Sequence, residues 1–230
     1  MTAEPDPAPA GGVPWQDVRD EPDPRPVLAS ELLVSGKVWD VRRDTVDLRD
    51  GQVVVRDLVV HYGAVGVLVI DDEDRVLLVR QYRHPVAMML WEPVAGLLDV
   101  PGEDPVSAAR RELVEEAGLV AGRWNLLVDY EPSPGGSSEA LRLYLARDVS
   151  PAPGGRPAGA GEERDMPMAW VPLDEARDRV LSGALTAPIT VVAVLAAVCL
   201  RAAGWSGLRP ADSPWPVRDA LVAQGRIRSS

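Results

Sequence analysis

Four glutamates and two arginines are concentrated in one short stretch of the sequence, and their spacing points to chemistry with a cation. The stretch spans residues 96–119 and reads GLLDVPGEDPVSAARRELVEEAGL. Glu112 and Glu116 are four residues apart with Glu115 between them, so on a helix the three carboxylates share or border one face. Like charges at this spacing repel each other, and carboxylate oxygens are ligands that hard divalent cations prefer. The stretch therefore predicts a metal-binding helix face, against the alternative of a solvated face with an Arg111–Glu115 pair.

Local signals mark both ends of the helix that would carry these carboxylates. Asp104 is a favourable N-cap residue, and Pro105 follows at the first helical position, where its missing N–H is not needed. Gly118 suits the left-handed position just beyond a helix. The sequence therefore predicts a helix between Asp104 and Gly118.

The fixed positions of this stretch resemble the Nudix box of the Nudix hydrolases. They are Gly96, Glu103, Arg111, Glu112, Leu113, Glu115, Glu116, Gly118 and Leu119. The loop before Glu103 is one residue longer than in the usual pattern, an insertion that leaves the helical register unchanged. The resemblance implies an α/β fold, the Nudix α/β/α sandwich, and hydrolysis of a nucleoside diphosphate linked to another group.

The resemblance also implies a site for Mg²⁺ or Mn²⁺. Glu112 and Glu116 match the box positions that bind the metal, and Glu103 is an outer candidate. Family members place the backbone carbonyl at the Ala95 position on the ion. Arg111 is expected to orient the carboxylates through charge-assisted hydrogen bonds rather than to touch substrate.

Hydrolysis of a pyrophosphate further needs a base that accepts the proton of the attacking water. In the ADP-ribose branch of the family a glutamate comes from the loop before the last strand, and Glu163 matches that place best. Glu162 and Asp165 stay open as alternatives, and Glu139 is a third choice. Glu115 is assigned a supporting catalytic role beside the metal carboxylates.

Features outside the box resemble the ADP-ribose pyrophosphatases. Pro134, about fifteen residues beyond the box, matches a marker of that branch. Trp39 and Arg56 lie where relatives place groups that stack on adenine, Arg83 suits bidentate contact with the pyrophosphate, and Glu139 is a further substrate-binding candidate. Each has a structural alternative, which is packing for Trp39 and ion pairing for the two arginines.

The resemblance thus predicts hydrolysis of ADP-ribose to AMP and ribose 5-phosphate. Two alternatives remain: a Nudix hydrolase of another nucleoside diphosphate derivative, such as an ADP-sugar or a dinucleotide, and a non-catalytic nucleotide sensor. The complete set of box carboxylates disfavours the sensor, which has no physical need for all of them.

The chain divides into four expected regions. Residues 1–28 read as a disordered, proline-rich tail, and residues 29–60 read as strands. The resemblance implies that these strands form a small sheet exchanged in a homodimer. Residues 61–205 are assigned to the Nudix domain, and residues 206–230 to an irregular C-terminal tail.

Three further expectations concern single elements. Residues 64–70 and 76–80 are predicted to pair as a hairpin around an acidic turn. The apolar run 189–200 is too short to span a bilayer and is predicted to be a core helix. The single cysteine, Cys199, lies in that run, so it is expected to be buried.

Composition limits the partners and the compartment. A net charge of −11 over 230 residues argues against nucleic acid or an anionic membrane as the main partner. It remains compatible with a phosphorylated substrate, because a bound metal reverses the local sign. The N-terminus lacks the basic start and apolar core of a signal peptide, and one cysteine cannot form an intrachain disulfide. We therefore expect a cytoplasmic protein.

Overall fold

A computed structural model of the chain describes residues 13–157 and 166–228, which contain eleven strands and four α-helices. The strands are β1 (Val27–Ser35), β2 (Trp39–Asp47), β3 (Val53–His61), β4 (Ala64–Val69), β5 (Arg75–Arg83), β6 (Met88–Glu92), β7 (Val94–Leu97), β8 (Leu119–Tyr130), β9 (Leu141–Pro151), β10 (Met168–Pro172) and β11 (Arg209–Pro210). The helices are α1 (Pro105–Ala117), α2 (Leu173–Leu181), α3 (Pro188–Ala202) and α4 (Pro216–Ala223).

A five-stranded sheet in the order β11-β8-β9-β4-β7 lies at the centre of the structure. Its strand β4 is buried along its whole length, and its side chains alternate between two cores. Val65 and Val67 point into the core that contains Leu113 of α1, whereas Leu68 points into the core that contains Val194 of α3. Helices therefore cover both faces of the sheet, and the predicted α/β/α sandwich is confirmed.

The apolar run that the sequence assigned to a core helix forms α3. The helix buries one face, including Ile189 and Ala193, against the sheet. Close packing there depends on Gly66 of β4, where an added Cβ would meet the Ile189 side chain at 2.7 Å. Cys199 lies outside that face and is exposed, so its predicted burial is wrong. No helix in the described ranges is long and apolar enough to cross a membrane.

The expected hairpin of residues 64–70 and 76–80 is also wrong. The two strands belong to different sheets, because β5 pairs with β6 and β10 rather than with β4. Both edges of β4 are already occupied, by β9 in parallel and β7 in antiparallel orientation. Only the bridge between Ile70 and Val76 remains at the turn.

Strands β1, β2 and β3 form a separate antiparallel sheet in the region expected for it. The turn between β2 and β3 includes Gly51 at φ +85°, a left-handed conformation that favours glycine. The sheet joins the central domain along β3, where the Val59 N–H donates to the Gly136 carbonyl at 2.9 Å and the Ser138 N–H donates to the Val59 carbonyl at 2.9 Å. Apolar side chains on β1 and β3 remain more than half exposed, namely Leu28, Leu32, Val34, Val53 and Val55.

The C-terminal region is more ordered than the sequence suggested. The expectation of an irregular tail from residue 206 is wrong for residues 216–223, which form α4. Pro216 begins the helix, and Trp215 just before it is only 5 % exposed. Val217 and Leu221 of α4 pack against the core beneath α1. Tertiary burial of this apolar side therefore stabilises a helix that is too short to be stable alone.

Candidate active site

Both predicted ends of α1 are confirmed. The Asp104 carboxylate accepts hydrogen bonds at 3.1 Å from the backbone N–H groups of Val106 and Ser107. At the other end Gly118 adopts a left-handed conformation, φ 65° and ψ 29°, and its N–H donates to the carbonyls of the last turn. The helix that carries the carboxylates is thus held at defined first and last residues.

Arg111 links three of the box carboxylates. Its guanidinium donates to both oxygens of Glu103, at 3.0 and 2.9 Å. Its Nη1 also donates to Glu112 at 2.6 Å and to Glu115 at 3.1 Å. The hydrogen bonds that Arg111 donates to Glu103 hold the pKa of Glu103 below its usual value, and the same bonds are the leading cause that raises the pKa of Arg111. The predicted orienting contacts of Arg111 and the Arg111–Glu115 pair are both present.

Strand β7 brings its backbone against the other side of these carboxylates. The Ala95 N–H donates to Oε2 of Glu116, which is 5 % exposed, at 3.2 Å. At Gly96 an added Cβ would lie 2.1 Å from Cδ and Oε1 of Glu112. The first glycine of the box therefore leaves the space that the Glu112 carboxyl group occupies. The Ala95 carbonyl as a metal ligand stays a prediction, since the contact seen at this residue is through its N–H.

The carboxylate oxygens of the box are the type of ligand that a hard divalent cation prefers. Within residues 13–157 and 166–228 no three Asp, Glu, His or Cys side chains are grouped to hold an ion alone. Arg111 occupies part of this space, because it binds Glu103, Glu112 and Glu115 together. Mg²⁺ is commonly held by one or two carboxylates completed by water and substrate phosphates. Glu112 and Glu116 on one helix face meet that smaller requirement.

Arg83, at the end of β5, lies beside the same acidic region. Its guanidinium binds the buried carboxylate of Glu92 through Nε, at 3.1 Å to each oxygen, and through Nη2. Burial lowers the pKa of Arg83, but its bonds to Glu92 and the charges of Glu116 and Glu139 raise it overall. Arg83 therefore forms the ion pair that was the structural alternative to contact with the pyrophosphate. Its side chain also lies within electrostatic reach of the box helix and Glu139.

A cavity of about 400 Å³ lies between the N-terminal sheet and the loop after β8. Arg56, Pro134 and Glu139 all line it, although Arg56 and Glu139 are 83 positions apart in the sequence. Trp39 is not among the lining residues of this cavity; it begins β2 and is 44 % exposed. The structure therefore brings three of the residues associated with substrate together and leaves Trp39 apart from them.

Two residues near Glu139 were not identified from the sequence. Nδ1 of His61 lies 4.0 Å from Oε1 of Glu139; burial lowers the pKa of His61, and the Glu139 charge opposes that shift. The Tyr130 hydroxyl is buried and has no hydrogen-bond partner among the described residues. Burial, followed by the charges of Glu139 and Glu92, raises the pKa of Tyr130. No local pattern distinguishes either residue: His61 comes from the distant strand β3, and Tyr130 ends β8 just before the loop that carries Glu139.

The candidates for the catalytic base differ in whether the structure describes them. Glu163 and its alternatives Glu162 and Asp165 lie outside the described residues. Only Glu139 of the four candidates has a described position, where it lines the cavity.

Comparison with known proteins agrees with the fold and the box. Residues 60–187, more than half of the chain, match the family model of the NUDIX domain. An ADP-ribose pyrophosphatase of Mycobacterium tuberculosis is 42 % identical over 199 residues, covering 86 % of this chain and 95 % of that protein. A methanol dehydrogenase activator of Bacillus methanolicus is 35 % identical over 167 residues, covering 73 % of this chain and 89 % of that protein.

A solved structure extends the agreement in fold. The crystal structure of an ADP compounds hydrolase matches 91 % of this chain and 100 % of its own chain, with a TM-score of 0.65 at 21 % identity. The match to the NUDIX model and the identity to the mycobacterial protein over most of both sequences decide the family. The chain belongs to the Nudix hydrolase family, as the pattern of residues 96–119 predicts.

Proposed function

We propose that this protein hydrolyses the pyrophosphate bond of ADP-ribose to give AMP and ribose 5-phosphate. The observation that carries the proposal is the pairing of two features. One is the Glu112 and Glu116 carboxylates set against β7, and the other is the cavity lined by Arg56, Pro134 and Glu139. The substrate named for the mycobacterial relative supports the choice of ADP-ribose.

The box residues have distinct roles in this proposal. Glu112 and Glu116 hold a divalent cation, Mg²⁺ or Mn²⁺, together with the Ala95 carbonyl, and Glu103 acts from further out. The bound ion supplies charge neutralisation at the phosphates. Arg111 keeps Glu103 ionised, since its hydrogen bonds favour the charged form, and it holds Glu112 and Glu115 in position through its Nη1.

Substrate contacts come from residues outside the box. Arg83 lies within electrostatic reach of Glu116 and is the candidate for orienting the pyrophosphate, with the Nε–Nη2 edge of its guanidinium already bound to Glu92. Arg56 and Glu139 contact the part of the substrate that enters the cavity. Trp39 does not line the cavity and is the alternative stacking platform, which would apply if adenine bound outside it.

Proton transfer completes the proposed reaction. Glu163 accepts the proton of the attacking water and Glu115 supports it, while Glu162, Asp165 and Glu139 remain the alternatives for the base.

We also propose a homodimer that exchanges the β1–β3 sheet, in the cytoplasm. The exposed apolar side chains of that sheet support the dimer, because burying them against a second copy is favourable. A lone, exposed Cys199 fits a reducing compartment. Loss of the dimer on deleting residues 29–60, measured by light scattering, supports the exchange, and a monomeric intact protein rules it out.

AMP release from ADP-ribose with Mg²⁺ tests the activity. ADP-glucose, diadenosine polyphosphates and NADH are assayed beside it, with Glu116→Gln as the blank. Preferential cleavage of ADP-ribose that the substitution abolishes supports the proposal. Cleavage of another compound in the panel supports the roles of the box residues and replaces ADP-ribose as the proposed substrate. Tight ADP-ribose binding with no cleavage of any compound favours a nucleotide sensor.

A further inference from the structure

The C-terminal segment, residues 215–228, forms one wall of the cavity. Helix α4 contributes Val217 and Leu221, and Arg226 follows shortly after the helix. We refer to these three residues as the C-terminal wall. Other parts of the cavity come from β2, β3 and the loop 131–139. The wall thus lies in the same space as the residues proposed to contact substrate, although no pattern in the sequence suggested that it would.

The first anchor of the segment is at its N-terminal end. The Arg142 guanidinium lies 4.6 Å from the centre of the buried Trp215 ring and donates to the carbonyls of Ser213 and Pro214 at 2.8 and 3.0 Å. Asp129 holds Arg142 through two further hydrogen bonds, at 2.7 and 3.0 Å. Arg142 is 3 % exposed, so this anchor is part of the interior.

The second anchor joins the end of the segment to the N-terminal sheet. Ile227 forms a parallel bridge with His61, and the Arg228 N–H donates to the His61 carbonyl at 3.1 Å. Arg226 lies 3.4 Å from Asp44 of β2, which also lines the cavity. Because both ends are fixed, the wall has a defined position relative to the rest of the cavity.

We propose that the C-terminal wall binds the adenosine half of the substrate, an inference that rests on the proposed function. The apolar side chains of Val217 and Leu221 suit the face of a purine, and the planar guanidinium of Arg226 suits stacking or hydrogen bonding to its edge. Ribose 5-phosphate offers hydroxyl groups and charge but no flat apolar face. The cavity volume lies within the range of small-molecule sites.

Two substitutions in the wall and one matched control test this assignment. Leu221→Ala and Arg226→Gln alter the wall, while Val222→Ala alters the next residue of the same helix, which is half exposed and does not line the cavity. Inhibition constants for AMP and for ribose 5-phosphate are measured beside KM and kcat. We expect the two wall variants to raise KM and the AMP constant about 10-fold, with kcat and the ribose 5-phosphate constant unchanged. The control is expected to match the unaltered protein.

Two outcomes overturn the inference: an unchanged AMP constant in both folded wall variants, or weakened binding of ribose 5-phosphate in place of AMP. Thermal unfolding establishes that each variant is folded, and Arg226→Gln decides alone if Leu221→Ala does not fold. AMP binding by calorimetry separates this inference from the proposed activity. If the unaltered protein does not cleave ADP-ribose, the proposed activity is refuted. The effect of the wall variants on AMP binding still tests whether the C-terminal wall binds adenosine.

Discussion

Replacing Gly96 by alanine should abolish most activity while leaving the fold intact. The added Cβ would lie 2.1 Å from the carboxyl group of Glu112. Ordinary contact begins at 3.4 Å, so the carboxyl group must move by about 1.3 Å. A displacement of about 1 Å in a catalytic group lowers the rate about 100-fold, equivalent to about 2.7 kcal/mol in activation free energy. We therefore expect kcat for ADP-ribose to fall by about two orders of magnitude.

The effect on stability should be smaller than the effect on activity, because the clashing atoms all belong to the side chain of Glu112 and none to the backbone. An alanine also restricts the unfolded chain, which offsets part of the cost, so the free energy of unfolding should change by about 1 kcal/mol or less. AMP release and urea denaturation are measured on the same preparations. Gly122→Ala is the control, since Gly122 lies in β8 and its added Cβ would meet Cβ of Asp148 at 3.3 Å, which requires a shift of only about 0.1 Å rather than 1.3 Å. A folded Gly96→Ala variant with unreduced kcat would refute the proposed role of the Glu112 position.

Three other predictions concern the box arginine, a buried hydroxyl and the loop base. The folded-state pKa of Glu103 is lowered by Arg111, so the stability from this pair is complete above the ordinary carboxyl pKa of about 4.3 and is lost as pH falls through the lowered value. Arg111→Gln should therefore flatten the acid side of the pH–stability curve measured by urea denaturation, and an unchanged curve would contradict this. Thr190→Val should lower the free energy of unfolding by about 1–3 kcal/mol, because it removes the 2.7 Å bond from the fully buried Thr190 hydroxyl to the Trp91 carbonyl; a variant as stable as the unaltered protein would show that this bond contributes little. Glu163→Gln should lower kcat sharply while calorimetry shows little change in ADP-ribose binding, and unchanged turnover would remove Glu163 as the base.

The difference between correct and incorrect sequence predictions follows from the range of the interactions involved. The boundaries of α1 depend on contacts between residues at most five apart, such as Asp104 with Ser107, and both boundaries were predicted. The order of strands in a sheet depends on which edges remain free after the whole chain packs. For that reason β4 and β5 are neighbours in the chain but lie in different sheets.

The sequence alone determined the family, the box helix and the set of carboxylates available to a metal, because a short pattern carries all three. The tertiary structure decided that Gly96 makes room for Glu112, that Glu139 lies beside His61, and that the C-terminal segment closes one wall of the cavity. Each of these depends on segments distant in sequence meeting through burial and hydrogen bonding. Local propensity does not encode such contacts, since their free energy is gained only when the core assembles.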